Sequence, residues 1–369
     1  MKVLYFTRTQ SPHDLRFTQA LAATEHQVFV LCLEPVVGRQ WPGNIVEVEW
    51  QGINPNDVEQ KLNDQLQWLK VVLENLNPDL VHAGPVQTAA YYTAKVGFHP
   101  LVTMSWGSDL MLEADENPFS QFVTNYTLEH TDVLVGDCAC VGKKAELFGF
   151  ANPNYFQFPW GVDLQHFSPV GSASLREKLG WQDKVVLLSN RSFAPLYGVD
   201  VLLKAFSSAF AENSNLRLLL YGKGGQESQF RQFMIDHDLE NIVYFGGHAS
   251  LDELPDVYRS ADIYLSASHS DGTSVSLMEA LASGLPVIVS DIPGNLEWIE
   301  EGKQGWLFKD GDTHEFAQKI ILASLQLDSL KPMKTGNRAL AEQRADWNKN
   351  FPVLLKAYET ALATVGSHD

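Results

Sequence analysis

Ser270-Asp-Gly-Thr-Ser-Val-Ser-Leu-Met-Glu-Ala-Leu-Ala-Ser-Gly-Leu-Pro-Val-Ile-Val-Ser290 reads as a loop, a helix, a turn and a strand. The small and hydroxylic residues Gly272, Thr273 and Ser274 open the helix at about Ser274. The first N–H groups of a helix lack intrahelical acceptors and lie at the positive end of its dipole, so this point is a seat for phosphate. Gly284 ends the helix and Pro286 opens the next strand. Two carboxylates bracket the unit. Asp271 stands at its mouth, and Glu279 lies inside the helix between Leu277 and Leu281. An acid in a mostly apolar helix is costly unless it is paired or bound to ligand hydroxyls. In isolation Glu279 reads equally as a surface acid, and Asp271 as a capping residue.

Outward from this stretch, strand-like runs alternate with helical patterns along the whole chain. They are Lys2–Thr7, Gln27–Leu33, Ile45–Trp50, Leu80–Ala83, Leu101–Trp106, Asp132–Gly136 and Tyr155–Phe158, then Val185–Ser189, Leu216–Tyr221, Ile242–Phe245, Ile263–Ser266, Pro286–Ser290 and Trp306–Phe308. Several are continuously apolar, which is how strands covered on both faces of a parallel sheet read. The clearest helix puts Leu62, Leu66, Leu69, Leu73 and Leu76 on one face and stops at Asn77-Pro78. The pattern predicts an α/β fold with two doubly wound, Rossmann-like domains. Residues 1–165 form the first and residues 166–345 the second, joined through Pro159 to Pro169. Residues 346–369 form a terminal helix with an apolar set of Trp347, Phe351, Leu354, Leu355 and Tyr358.

The length of 369 residues suits two ordinary domains, and 45% hydrophobic with 20% charged residues marks a globular chain. No stretch approaches the roughly 18 apolar residues of a membrane span. The first apolar run is too short for a signal peptide. Cys32, Cys138 and Cys140 have no metal spacing, which fits a reducing cytoplasm. The net charge is −18, about −10 before residue 165 and −8 after it. That argues against nucleic acid as a partner and leaves at most peripheral membrane contact.

The central stretch resembles the retaining glycosyltransferases of group one, or family four, which have the GT-B fold. Their signature is an acid, seven residues, Glu-Ala, a small-residue turn and Gly-x-Pro-Val. Here it reads Asp271, then Glu279-Ala280, then Gly284-Leu285-Pro286-Val287. The likeness extends to Asn241–Gly246, Leu254–Asp262, Ser290–Gly294, Glu297, and Pro159–Asp163 with Phe167. It implies two domains facing across a cleft, with the terminal helix packing back on the first. By position, Glu279 matches the acid that holds the ribose hydroxyls of a nucleotide, and Asp271 the acid facing the transferred sugar. The amides of Ser274, Val275 and Ser276 would hold a diphosphate, with Gly272 and Thr273 beside them. Arg191 matches the arginine that neutralises the leaving diphosphate, a task suited to a forked guanidinium.

The departures from the family pattern are specific. Asp271 stands where Glu is usual, and Thr273 and Ser274 where Phe and Gly are common. The family's second cation, a Lys before Gly, is Tyr197 before Gly198; Lys223 is the candidate substitute. In the first half, Ser105-Trp-Gly-Ser-Asp109 resembles His-Gly-x-Asp with Trp106 in place of His, leaving Asp109 as the matched residue. His82 matches a family His, and also reads as a structural one. The loop Thr7–Arg16 lacks the family's Gly-Gly pair and carries His13, Asp14 and Arg16, which either meet acceptor or phosphate or cap the first helix. The resemblance implies transfer of a hexose, glucose by preference, from a nucleoside diphosphate sugar, UDP by preference, to a saccharide or lipid-linked acceptor, as in polysaccharide or glycoconjugate synthesis. No cofactor or metal is expected, and no Asp-x-Asp pair is evident. A GT-B nucleotide-sugar epimerase and an inactive sugar-nucleotide-binding relative are the alternatives.

Overall fold

The computed structural model of the chain describes residues 1–34, 41–50, 58–151 and 153–365; the end of the terminal segment, 366–369, lies outside them. The chain divides into two compact units, Met1–Phe158 with Phe351–Asp369, and Pro159–Asn350. The latter part of the terminal helix Trp347–Val365 thus belongs to the first unit.

The first unit holds β1 (Lys2–Thr7), β2 (Gln27–Cys32), β3 (Val46–Val48), β4 (Leu80–Gly84), β5 (Leu101–Met104), β6 (Val133–Gly136) and β7 (Tyr155–Gln157). The second holds β8 (Val185–Asn190), β9 (Leu216–Tyr221), β10 (Val243–Gly247), β11 (Ile263–Ser266), β12 (Val287–Ser290) and β13 (Gly305–Phe308). Both sheets are parallel. Their orders are β3-β2-β1-β4-β5-β6-β7 and β10-β9-β8-β11-β12-β13. Strands β4, β5, β6, β11 and β12 are buried at every residue, because helices cover both faces of a doubly wound sheet.

The helix predicted from its leucine spacing is Val58–Leu76, with Leu66, Leu69 and Leu73 buried and Leu62 and Leu76 half-buried. It ends as Asn77-Pro78 requires. Asn77 takes a left-handed φ of 47° and its N–H reaches the Leu73 carbonyl at 2.8 Å, while Pro78 cannot continue the ladder. In the second unit, Phe206, Leu218, Phe316 and Ile320 are fully buried in one core that spans the sheet and its helices.

Strand order reverses in each sheet between the earliest strand and its later neighbour. The switch points are β1/β4 in the first unit and β8/β11 in the second. The loops leaving the carboxyl ends of such strands diverge to opposite faces and open a crevice between them, where ligands of this fold class bind.

Candidate functional site

At the second switch point, β8 delivers Arg191 and the loop after β11 delivers Asp271 to Ser276. The two meet directly. The Arg191 guanidinium donates to Asp271 Oδ2 at 2.5 Å, to Ser274 Oγ at 2.5 Å and to Ser276 Oγ at 3.0 Å. Its side chain is 9% exposed and that of Asp271 is 23% exposed. Burial works against the charge of Arg191, but Asp271, Tyr264 and Tyr197 outweigh it, and the pKa is raised. The arginine is therefore a permanent cation. Tyr197 lies under the guanidinium, with Cζ 4.3 Å from the ring centroid. Tyr197, which stands where the resemblance implies a second cation, thus stacks its ring on Arg191.

Ser274 is the N-cap of the helix Val275–Ala282, its extended backbone (φ −62°, ψ 122°) letting Oγ accept from the Leu277 N–H at 3.4 Å. Such a cap is worth about 1 kcal/mol. The amides of Val275 and Ser276 in the first turn find no acceptor among the described residues. Ser276 Oγ also accepts from Tyr264 OH at 2.8 Å, so a fully buried tyrosine on β11 fixes the hydroxyl that faces Arg191. Thr273 Oγ1 accepts from Trp298 Nε1 at 3.3 Å. Gly272 is held from behind by Gly294, where an added Cβ would lie 2.0 Å from the Gly272 carbonyl oxygen.

Glu279 lies one turn along the helix and is 8% exposed. Its Oε2 accepts from Tyr258 OH at 2.7 Å. Burial, then the charge of Glu279, raises the pKa of Tyr258, so the phenol stays a proton donor to this carboxylate. Asn190 at the end of β8 donates to the same phenol oxygen at 3.4 Å. The acid buried in an apolar helix is therefore paired, as its burial demands. Lys223 follows β9, the neighbour of β8. Its carbonyl accepts from Phe193 N–H at 2.9 Å and its ammonium makes no ion pair among the described residues.

The first switch point is built differently. Asp109, following β5, is 1% exposed. Its carboxylate accepts from Ser105 Oγ at 2.6 Å, Val86 N–H at 3.1 Å and Leu110 N–H at 3.0 Å. Burial raises its pKa, and these donors oppose that shift. Asp109 thus ties the loops leaving β4 and β5 to one another. His82 on β4 is 1% exposed, with Nδ1 2.5 Å from Tyr358 OH of the terminal helix and its ring 4.7 Å from that of Tyr5. Burial lowers its pKa to about 3, so it is neutral. Trp106 stacks on His13 with centroids 5.8 Å apart and meets Phe17 edge-on at 5.9 Å. Ser11 caps the first helix, and Asp14, rather than His13 or Arg16, completes the reciprocal box by accepting from the Ser11 N–H at 2.8 Å. His13 and Arg16 sit half-buried on that helix, Pro12–Ala22.

The structure thus brings Arg191, Asp271, Ser274, Ser276 and Glu279 to one helix end, and Asp109, Trp106, His13 and His82 to a separate region of the first unit. Sequence reasoning did not assign Tyr197, Tyr258, Tyr264, Trp298 or Gly294 to the site. Each acts through a contact between residues distant in the chain, and only their occurrence in family-like segments pointed toward Tyr258 and Gly294.

Two family models match the chain. The model described as glycosyl transferases group 1 matches residues 172–340, and that described as glycosyl transferase 4-like matches residues 2–137. The UDP-N-acetylglucosamine–peptide N-acetylglucosaminyltransferase GtfA subunit of Streptococcus pneumoniae is 36% identical over 40% of this chain and 29% of its own length. The D-inositol 3-phosphate glycosyltransferase of Saccharomonospora viridis is 28% identical over 55% of this chain and 49% of its own. The matched part thus spans half or less of these relatives. Among solved structures, Alr3699/HepE of Anabaena in complex with UDP and glucose superposes with a TM-score of 0.80 at 17% identity, over 98% of this chain and 100% of that one. The sucrose-phosphate synthase of Thermosynechococcus elongatus superposes with a TM-score of 0.83 at 15% identity, over 99% and 100%.

Proposed function

This chain belongs to the group 1 glycosyltransferases of GT-B fold, and from that membership we propose that it moves a hexose from a nucleoside diphosphate sugar to an acceptor hydroxyl with retention at the anomeric carbon. The observation that carries this reading is the convergence of Arg191, Ser274 and Ser276 on a helix N-terminus at the β8/β11 switch point, with Glu279 one turn behind.

As the sugar–phosphate bond breaks, negative charge grows on the diphosphate. Arg191 and the amides at 274–276 are the donors that meet it, already fixed by Tyr264, Tyr197 and the cap at Ser274. In the structure the Asp271 carboxylate pairs with the guanidinium. An arriving diphosphate takes over that edge, and the released Asp271 carboxylate turns to the sugar hydroxyls. Glu279, held by Tyr258, accepts the ribose hydroxyls. The charge stabilisation rests on Arg191 rather than on a metal ion, and no cofactor is needed besides the donor.

UDP-glucose is the favoured donor, supported by UDP and glucose in the Anabaena structure and by the UDP-sugar in the streptococcal relative's name. The acceptor is a saccharide or lipid-linked sugar, met by the first unit around Trp106, His13 and Arg16, and the product enters a polysaccharide or glycoconjugate. No helix among the described residues is long and apolar enough to cross a membrane, and the three free cysteines favour a cytoplasmic location.

The test is a thermal-shift panel with UDP, GDP, ADP, dTDP and CMP, with and without Mg²⁺. A ligand at 100 times its Kd stabilises by about 2.7 kcal/mol. A shift with one nucleotide, indifferent to Mg²⁺, identifies the donor class, and NMR of the product made from that donor reads the anomer. A shift with no nucleotide, or an inverted product, overturns the reading.

A further inference from the structure

The helix that begins at Ser274 ends at a second cavity. A hollow of about 440 Å³ lies beyond the C-terminus of Val275–Ala282, lined within the second unit by Arg259, Ser283, Lys334, Thr335, Arg338 and Glu342. Gly284, with a left-handed φ of 74°, turns the chain there; its missing Cβ would sit 3.3 Å from the Lys334 carbonyl, which fixes the helix Lys331–Arg344 against the turn.

The charges of this cavity do not cancel. Arg338 is spent on the carbonyls of Leu164, Phe167 and Ala282, and on Glu342 at 2.7 Å, which neutralises it. Arg259 donates to the carbonyls of Ser172 at 2.6 Å and Ser168 at 3.4 Å and has no carboxylate partner among the described residues. Lys334 has none either. Two uncompensated cations therefore line one hollow of a chain whose net charge is −18. Ser283 adds an independent sign. It is 4% exposed and its Oγ has no hydrogen-bond partner, a costly state for a buried hydroxyl unless a ligand satisfies it.

We propose that this cavity binds the phosphate monoester of a small molecule, the Arg259 and Lys334 charges pairing with the dianion and the Ser283 hydroxyl donating to a phosphate oxygen. Two cations and a hydroxyl match the charge and acceptor pattern of that group. The volume exceeds what phosphate alone fills and falls within the range of about 300–1,000 Å³ of small-molecule sites. The site lies at the opposite end of the helix from Arg191 and does not depend on the donor assignment.

Isothermal titration of the full chain with glycerol 3-phosphate, inorganic phosphate and uncharged glycerol tests it. The expected result is saturable binding of the two phosphates and none of glycerol. A tighter fit of the ester than of inorganic phosphate identifies a metabolite, and the reverse identifies free phosphate as the ligand. Lys334→Ala and Ser283→Ala should each weaken binding by about tenfold (~1.4 kcal/mol). Ser283→Ala removes only an unpartnered hydroxyl and so should fold normally. Arg191→Ala should leave the binding intact. Absence of saturable binding with ligand raised to about 10 mM, where even a Kd of about 1 mM would be saturated, overturns the proposal. So does binding that Arg191→Ala abolishes while Lys334→Ala and Ser283→Ala do not alter it, because the phosphate would then occupy the donor residues.

Discussion

The two units share a sheet topology but use the switch point in opposite ways. In the second, the groups at the strand ends hold charge ready for use. Arg191 is a fixed cation, its anionic partner Asp271 keeps partial access to solvent, and the Val275 and Ser276 amides find no acceptor among the described residues. In the first, the polar groups are already consumed. Asp109 is saturated by Ser105, Val86 and Leu110, Asp14 by Ser11 and Tyr5, and His82 is a neutral ring against Tyr358. One fold class therefore yields an electrostatic site in one unit and a rigid frame in the other. Around that frame Trp106, His13 and Arg16 are only half-buried, and under the proposed function they are the groups that meet the acceptor.

The sharpest way to break this contrast is to remove the charge held ready. Arg191→Ala deletes the cation proposed to face the diphosphate and breaks its ion pair with Asp271. Loss of one preorganised donor to a developing anion costs about 10²–10³ in kcat. Steady-state kinetics with the identified donor should show that fall with a smaller change in KM. An equal loss in kcat for Asp109→Asn would erase the distinction between the units. Next in size is Glu279→Ala. A carboxylate holding two ribose hydroxyls makes charge-assisted hydrogen bonds of about 1.5–3 kcal/mol each, so nucleotide affinity should fall at least tenfold. Equal affinity in the two proteins would remove Glu279 from the donor site.

How far the sequence reveals this arrangement follows from the range of the interactions. All thirteen apolar runs are strands, with ends displaced by a residue or two, because a parallel strand covered on both faces must be apolar throughout and announces itself locally. The helix opening at Ser274 is equally local, since N-cap, Gly and Pro signals lie within a few residues. The partners are not local. Arg191 meets Asp271 across 80 residues, Tyr258 meets Glu279 across 21, and His82 meets Tyr358 across 276. The resemblance could mark Tyr197 only as a missing lysine. Its stacking on Arg191 appears once β8 and the following turn are folded. His82 read both as a site residue and as a structural one, and burial with a tyrosine partner is what the fold supplies.

The frame itself can be tested through pH. His82 has a folded pKa of about 3 against an ordinary value of 6.5. Below pH 6.5 the unfolded chain binds a proton that the folded chain refuses, so this residue's contribution to stability is full above pH 6.5 and is lost as pH falls toward about 3. At pH 5.5 the loss is roughly 1.4 kcal/mol. Denaturant unfolding of wild type and His82→Gln at pH 7.5 and 5.5 should show a smaller drop in the variant. The same drop in both would mean that His82 is not a buried neutral ring.

The smallest expected effect concerns Tyr197, and it sharpens the contrast at the electrostatic site. The half-buried ring contacts the guanidinium face at 4.3 Å, leaving the guanidinium's edge to Asp271, Ser274 and Ser276. Such stacking contributes about 0.5–1 kcal/mol where water has access and about 2 kcal/mol where it does not. Tyr197→Phe keeps the ring and should leave turnover near wild type. Tyr197→Leu removes the π face while retaining an apolar side chain, and should lower kcat by about two- to fivefold at nearly constant KM, the range set by that energy. Identical kcat in all three proteins would mean that the serines and Asp271 alone hold Arg191. A Tyr197→Lys variant with higher kcat would show instead that the tyrosine occupies a place where a second cation serves the diphosphate better.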